Sequence, residues 1–198
     1  MIREKISVYK EYLQFSSISE ISRRYFVMNS FDGALTMLGI IVGSYVSGKM
    51  TVSLVLGAGF GASFAMAISG LSGAYMTERA ERRRDLKELE RSMLRNMENS
   101  MHAKAMRAAT IWVTIIDGGA PLLTGLIALI PFLFASFNLL SPVRAVYFSV
   151  GLVMLMLFIL GIFLGRISKE NLIVSGFKTL IIGFVTAAIL IAMGSVTN

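Results

Sequence analysis

Five long apolar segments constrain this chain more than any other feature of its sequence. They occupy residues 25–48, 51–76, 108–137, 143–165 and 172–195. A membrane-spanning helix needs about 20 residues, and backbone groups within a bilayer must be hydrogen-bonded inside their own helix. Mean hydropathy is +0.70, and 55% of the 198 residues are hydrophobic. The sequence therefore predicts an all-α integral membrane protein with five transmembrane helices.

The basic residues are distributed unevenly around these segments. Of the 19 lysines and arginines, all but Lys49 and Arg144 fall in regions that alternating helices place on one side of the membrane. By the positive-inside rule that side is cytoplasmic. We therefore expect the N-terminus inside and the C-terminus outside. The net charge of +7 follows from this membrane pattern and does not indicate nucleic-acid binding.

Four regions follow from the same pattern. Residues 1–24 mix apolar and charged side chains and predict an amphipathic interfacial helix that anchors the chain at the membrane surface. Residues 25–76 contain transmembrane helices one and two, and residues 108–195 contain helices three to five. Residues 77–107 predict a polar cytoplasmic helical hairpin between helices two and three, with a break near Glu98-Asn99-Ser100.

Two carboxylates fall inside the apolar segments. Asp32 lies about 10 Å and Asp117 about 14 Å from the near end of its helix, at about 1.5 Å per residue. An ionisable side chain at the membrane centre costs about 2.5–3.5 kcal/mol on insertion scales, so each aspartate predicts a cation or proton pathway. The structural alternative is capping: Asp32 precedes Gly33, and Asp117 precedes Gly118-Gly119-Ala120-Pro121, where a helix could break.

Metal ligands can be sought at the same depth and in the linker. Met66 lies about 15 Å inside the second helix. Carboxylates combined with thioether sulfurs suit Fe²⁺ or Mn²⁺, whereas oxygen ligands alone suit Mg²⁺ or Ca²⁺ better. Methionine is also an ordinary packing residue, so both roles stay open for Met66.

The linker contributes a second acidic set. Spacings of three and four place its carboxylates on one helical face: Glu78, Glu81, Asp85 and Glu88. This face is interpreted either as a metal-collecting surface or as a solvated face with i,i+4 ion pairs to Arg82 and Arg84.

Several chemistries are excluded by composition. The chain has no cysteine and a single histidine, so disulfides and thiolate metal sites cannot form. No nucleophile motif, metalloprotease motif or phosphate-binding loop is present, and we predict neither an enzyme nor a permanently bound cofactor. His102 is interpreted as a surface residue. The glycine pairs Gly39/Gly43, Gly57/Gly61 and Gly161/Gly165 predict close helix packing.

Short motifs, in order along the chain, resemble the vacuolar iron transporter family. In helices one and two they are Asn29-Ser-Phe-Asp32-Gly33, Gly43-Ser-Tyr-Val-Ser-Gly48, Gly73-Ala-Tyr75 and Glu78-Arg-Ala-Glu81-Arg82. In helices three to five they are Gly125-Leu-Ile-Ala-Leu-Ile-Pro131, Leu160-Gly-Ile-Phe-Leu-Gly165 and Gly176-Phe-Lys-Thr-Leu-Ile-Ile-Gly183. The resemblance covers about residues 24–195.

The resemblance implies a homodimer whose first helices line a path for Fe²⁺ or Mn²⁺, exported from the cytosol in exchange for protons. Asp32 matches the metal- and proton-binding aspartate of the family's first helix. Two positions depart from the pattern. The family's helix-two methionine falls at Gly70, with Met66 one turn earlier, and a deeper acid of the same helix falls near Ala62.

The working hypothesis combines these expectations. The linker carboxylates collect the ion and pass it to a pair of Asp32 side chains at the dimer axis, with Met66 and Asp117 assisting and protons returning by the same carboxylates. The expected partners are the lipid bilayer, a second copy of the chain, divalent metal ions and protons, in a prokaryotic plasma membrane. The alternatives are a proton-coupled carrier of another cation and a non-transporting scaffold whose polar hairpin binds a partner.

Overall fold

The computed structural model describes residues 18–97 and 100–197. This part of the chain is helical throughout apart from short connections and contains no strand. Its helices are α1 (Ile18–Val46), α2 (Val52–Met93), α3 (Met101–Ser136), α4 (Pro142–Ser168) and α5 (Leu172–Thr197). Each is long and apolar enough to cross a membrane. The prediction of an all-α protein with five transmembrane helices is confirmed.

Most of the predicted linker, residues 77–107, lies in the end of α2 and the start of α3. α2 continues without interruption for 42 residues, about 63 Å at the usual helical rise, so it extends well beyond one bilayer crossing. It ends at Met93, and α3 begins at Met101. The turn expected near Glu98-Asn99-Ser100 lies in this interval, although residues 98 and 99 fall outside the described chain. Helices two and three are therefore extended by polar helical segments.

The N-terminal prediction falls mostly outside the described residues. Residues 1–17 of the predicted interfacial helix are not described, and residues 18–24 form the first turns of α1. The boundary placed between an interfacial helix and a first transmembrane helix therefore stays a prediction.

Proline does not interrupt α3. Pro121 and Pro131 both lie inside this helix, so the helix break considered before Pro121 does not occur. Proline lacks the N–H that a regular helix would donate to the carbonyl four residues earlier, which here belongs to Asp117. The Thr124 hydroxyl donates to the carbonyls of Ala120 and Pro121, at 3.1 Å each. The capping role considered for Asp117 at a broken helix is therefore not supported.

The chain is organised into two compact units. Unit 1 consists of the described residues within Met1–Phe26 and Ala67–Gly119, and unit 2 of those within Val27–Met66 and Ala120–Asn198. The core of unit 2 is apolar, and its largest fully buried side chains include Met37, Leu38, Ile41, Leu129 and Phe132. A smaller apolar cluster in unit 1 consists of Ala109 and Val113 with Ile21 and Tyr25 packed against it.

The three glycine pairs differ in whether another helix packs against them. Gly161 and Gly165 allow α4 to approach α5, since a Cβ at Gly165 would lie 2.8 Å from Cβ of Ser175. Next to this contact the Thr179 hydroxyl donates to the Leu157 carbonyl at 2.8 Å. The packing interpretation is confirmed for this pair. By contrast, a Cβ at any glycine of the pairs Gly39/Gly43 and Gly57/Gly61 would meet no atom within 4 Å. Those two glycine faces are open in the described chain.

Candidate functional site

Asp32 lies on the outer surface of unit 2 because of the glycine that follows it. A Cβ at Gly33 would lie 2.9 Å from both Cα and the carbonyl oxygen of Pro121, and would also contact the Thr124 hydroxyl. Gly33 is therefore the point of close approach between α1 and α3. Successive residues point about 100° apart around a helix, so burying Gly33 turns Asp32 outward, where its side chain is exposed.

The surface around Asp32 forms one continuous helical face. Met28, Asp32, Gly39 and Gly43 are separated by four, seven and four residues, which places them on the same side of α1. Met28 is 56% exposed, and the two glycines have open space beside them. We call these four residues the Asp32 face. It is an apolar surface of small or flexible residues with one carboxylate on it.

Met66 belongs to a different environment. Its side chain is partly buried and packs against the apolar core of unit 2. Met37, another methionine of α1, is fully buried in the same core. Among these methionines, only Met28 is largely exposed beside Asp32. The role of Met66 as a metal ligand stays a prediction.

Asp117 is buried in unit 1, with 8% of its surface exposed. It lies where α3 contacts α2. A Cβ at Gly70 would lie 3.0 Å from Oδ2 of Asp117 and 3.1 Å from its carbonyl oxygen. The neighbouring Gly118 packs in the same way on Leu71 and Ala67, whose carbonyl oxygen would lie 2.6 Å from an added Cβ. The missing side chain at Gly70 therefore leaves a notch that the Asp117 carboxylate occupies.

This contact bears on the departure at Gly70. In the family resemblance a methionine corresponds to this position, and here its space holds a carboxylate from another helix. Sequence reasoning identified Gly70 and Asp117 separately but missed their contact. Nothing in the local sequence links two positions 47 residues apart.

The linker acids divide into one buried and three exposed residues. Glu78 is only 5% exposed, and Arg82 donates to its Oε2 from Nε and Nη2 at 3.1 and 2.9 Å. Glu81, Asp85 and Glu88 are exposed. The expected i,i+4 ion pairs are confirmed, because Arg84 also pairs with Glu88 at 3.2 Å. Across residues 18–97 and 100–197 no three histidine or acidic side chains are grouped closely enough to hold a metal.

Tyr25 lies within electrostatic range of the two buried acids of unit 1. The charges of Glu78 and Asp117 both act on its phenol, as does that of Arg24, whose guanidinium carbon lies 5.7 Å from the ring centroid. The buried hydroxyls of Ser22 and Thr114 have no hydrogen-bond partner among the described residues. Sequence reasoning missed Ser22 and Thr114 as site residues. The sequence pattern that could have indicated them is helical spacing: Ser22 lies three residues before Tyr25, and Thr114 lies three residues before Asp117.

The two aspartates predicted to act together thus fall in different units, Asp32 in unit 2 and Asp117 in unit 1. Asp117, Glu78 and Tyr25 all belong to unit 1. The roles predicted for Asp32, Met66, Asp117 and the linker acids stay predictions.

Apolar helices of this length, with carboxylates inside them, define the class of the protein as an integral, multi-pass membrane protein. Comparison with known proteins identifies the family. The VIT family model matches residues 93–195, just over half of the chain. The uncharacterized protein MJ0645 of Methanocaldococcus jannaschii is 34% identical over 178 residues, covering 88% of each chain. The chain belongs to the VIT family.

Family membership confirms the resemblance inferred from the sequence motifs and indicates the broad class of activity. VIT proteins are transporters rather than enzymes, and they act in ion transport across membranes. The segment matched by the family model contains Asp117 but neither Asp32 nor Met66.

Proposed function

We propose that this protein exports a divalent metal ion, Fe²⁺ or Mn²⁺, from the cytoplasm in exchange for protons. It does so as a homodimer in which the α1 helices bring two Asp32 side chains together. The observation that carries this proposal is the exposure of Asp32 on an apolar helical face.

The surrounding lipid makes an exposed carboxylate on α1 costly. A carboxylate facing hydrocarbon costs about 2.5–3.5 kcal/mol, and the burial of Gly33 against α3 imposes this cost on Asp32. A second copy of α1 would cover it. Gly39 and Gly43 would let the two backbones approach closely, and a two-fold axis would place the same face of each subunit in contact.

The ligand set of such a dimer suits the proposed cargo. Two Asp32 carboxylates and two Met28 thioethers would supply oxygen and sulfur donors from the same face, a combination suited to Fe²⁺ or Mn²⁺. Met66 and Asp117 would assist along the path. When no metal is bound, the carboxylates can hold protons, so one set of groups could exchange the two kinds of cation.

The polar extension of α2 is the proposed collecting surface. Glu81, Asp85 and Glu88 are exposed there, and the positive-inside rule assigns this side to the cytoplasm. Glu78 could join them only by leaving its ion pair with Arg82. We therefore propose outward transport, and the archaeal relative supports a prokaryotic plasma membrane.

The test is metal flux in proteoliposomes, with Fe²⁺ and Mn²⁺ measured against an imposed pH gradient. Wild type is compared with Asp32→Asn, and Glu170→Gln serves as a control that removes an exposed carboxylate whose pairing with Lys178 lies on the surface. We expect gradient-driven flux in wild type and control, and none in Asp32→Asn at unchanged helicity. Flux retained by Asp32→Asn would refute the proposed site.

A second cargo class has a specific observation in its favour. The Gly70 notch holds a carboxylate oxygen, and Met66 packs into a core. Both observations favour an oxygen-based ligand set, which suits harder ions such as Mg²⁺ or Ca²⁺. A competition series of Mn²⁺, Fe²⁺, Mg²⁺ and Ca²⁺ in the same liposomes separates the two classes.

A further inference from the structure

We infer that unit 1 contains a water-accessible polar track that leads small cations to Asp117. The track is lined by the hydroxyls of Ser22, Tyr25 and Thr114 and begins at Glu78. It deepens the proposed function by giving Asp117 its own route to the polar end of α2, and its test does not depend on transport.

The register of α2 and α3 sets the direction of the track. Gly70 contacts Asp117, and Glu78 lies eight residues further along α2, about 12 Å away along the helix. α3 returns from the short turn after α2, so residues that precede Asp117 lie towards Glu78. Thr114 is one such residue, one turn before Asp117 and on the same helical face.

α1 supplies the third side. Ile21 and Tyr25 pack on Ala109 and Val113 of α3, which places this part of α1 beside the segment that carries Thr114. Tyr25 also lies within electrostatic range of Glu78 and Asp117. Ser22 lies one turn before Tyr25 on the same face of α1.

The buried hydroxyls point to a polar occupant. Ser22 and Thr114 are 6% and 9% exposed, and their oxygens have no hydrogen-bond partner among the described residues. Buried hydroxyls in folded proteins nearly always have a partner, and exceptions commonly mark a site for water or an ion. Ser30 and Ser149 share this property but belong to unit 2 and are not part of the track.

The charges favour cations over anions. Arg82 pairs with Glu78 through two hydrogen bonds, so those two charges largely cancel. Arg24 lies over the Tyr25 ring and is exposed, so its charge is screened more than that of a buried group. Asp117 is the buried carboxylate at the inner end of the track, and a carboxylate attracts cations along a polar path with apolar walls.

The absence of cysteine from the sequence makes thiol accessibility the direct test. Thr114→Cys and Ser22→Cys each introduce one thiol into the proposed track. Ile115→Cys is the matched control, because Ile115 is adjacent to Thr114 but is 54% exposed on an apolar face. The purified full-length variants, in detergent micelles, are treated with a cationic (ethylammonium) or an anionic (ethylsulfonate) methanethiosulfonate reagent. Loss of thiol to Ag⁺ is followed in parallel, since Ag⁺ passes openings too narrow for either reagent.

We expect Thr114→Cys and Ser22→Cys to react and Ile115→Cys to stay unmodified. After correction for intrinsic reagent rates, the cationic reagent should be faster by about tenfold or more. Adding Asp117→Asn should remove most of that preference. Protection of Thr114→Cys by Mn²⁺ would support the track as a route for the metal in the proposed function.

Two results would overturn the inference. The first is that neither track thiol reacts with Ag⁺ or either reagent in protein that elutes as a folded species. The second is reaction without a charge preference that depends on Asp117. If Thr114→Cys fails to fold, Ser22→Cys carries the same test. Because no flux is measured, a failure of the metal-export proposal leaves this result intact.

Discussion

Substitution of Gly33 by alanine tests the contact that turns Asp32 outward. The added Cβ would lie 2.9 Å from Cα and from the carbonyl oxygen of Pro121, and would contact Thr124. Two of these atoms are backbone, which cannot swing aside as a side chain can. Overpacking a tight site costs about 1–3 kcal/mol, and alanine in place of glycine in a helix gains about 1 kcal/mol. Backbone crowding favours the upper part of the first range.

We therefore expect Gly33→Ala to lower the free energy of unfolding by about 1–2 kcal/mol. The matched control is Gly39→Ala on the same helix, where the added methyl group meets no atom within 4 Å. In the monomer this control should gain up to about 1 kcal/mol from helix propensity alone.

The assay is unfolding in mixed micelles, titrated with sodium dodecyl sulfate and followed by fluorescence of Trp112, the single tryptophan. Measurements at low protein concentration in excess detergent keep dimerisation out of the comparison. If Gly33→Ala is as stable as Gly39→Ala, then α1 and α3 are not in close contact at Pro121, and the explanation of the outward Asp32 fails.

Three further outcomes follow from the same contacts. Gly39→Leu should lower the dimer fraction in liposomes, as counted by single-molecule photobleaching, and should leave the helicity of the monomer unchanged. An unchanged dimer fraction would show that the Asp32 face is not the dimer contact. Arg82→Ala should destabilise the chain by about 3 kcal/mol because it leaves the buried Glu78 charge without its partner. Adding Glu78→Gln should restore most of the lost stability, and equal stability of Arg82→Ala and wild type would contradict the buried ion pair. Thr179→Val should cost about 1 kcal/mol through loss of the hydrogen bond to Leu157, as measured by the same detergent titration, and no loss would indicate that this bond is replaced.

Much of the fold could be predicted because its determinants are local. A bilayer requires about 20 apolar residues per helix, so hydropathy alone located all five membrane helices. The polar continuation of α2 was also predictable, since acids and arginines at helical spacing stabilise a helix outside lipid. The break considered before Pro121 does not occur, because a membrane helix can tolerate a proline that a local rule would treat as an interruption.

The site was less predictable because burial is a tertiary property. Glu78, Glu81, Asp85 and Glu88 are equivalent by spacing, yet only Glu78 lies on a side of α2 that is covered in the folded chain. The contact between Gly70 and Asp117 joins two helices and leaves no trace in either local sequence. From the sequence alone, Gly70 indicates that an expected metal ligand is missing. The structure shows that the Asp117 carboxylate occupies the space of that side chain.

The two membrane aspartates illustrate two ways in which a carboxylate can be tolerated in an apolar helix. Asp117 is covered by its own chain and occupies the notch left by Gly70. Asp32 is left on the surface by the burial of Gly33, so whatever compensates its charge must come from outside the chain. An acid of the first kind can bind a cation within one subunit, whereas an acid of the second kind requires a partner surface before it can do so. If both act on one transport path, the step at Asp32 should depend on assembly and the step at Asp117 should not. That difference is why thiol accessibility near Asp117 and the dimer fraction on the Asp32 face are independent measurements of a single mechanism.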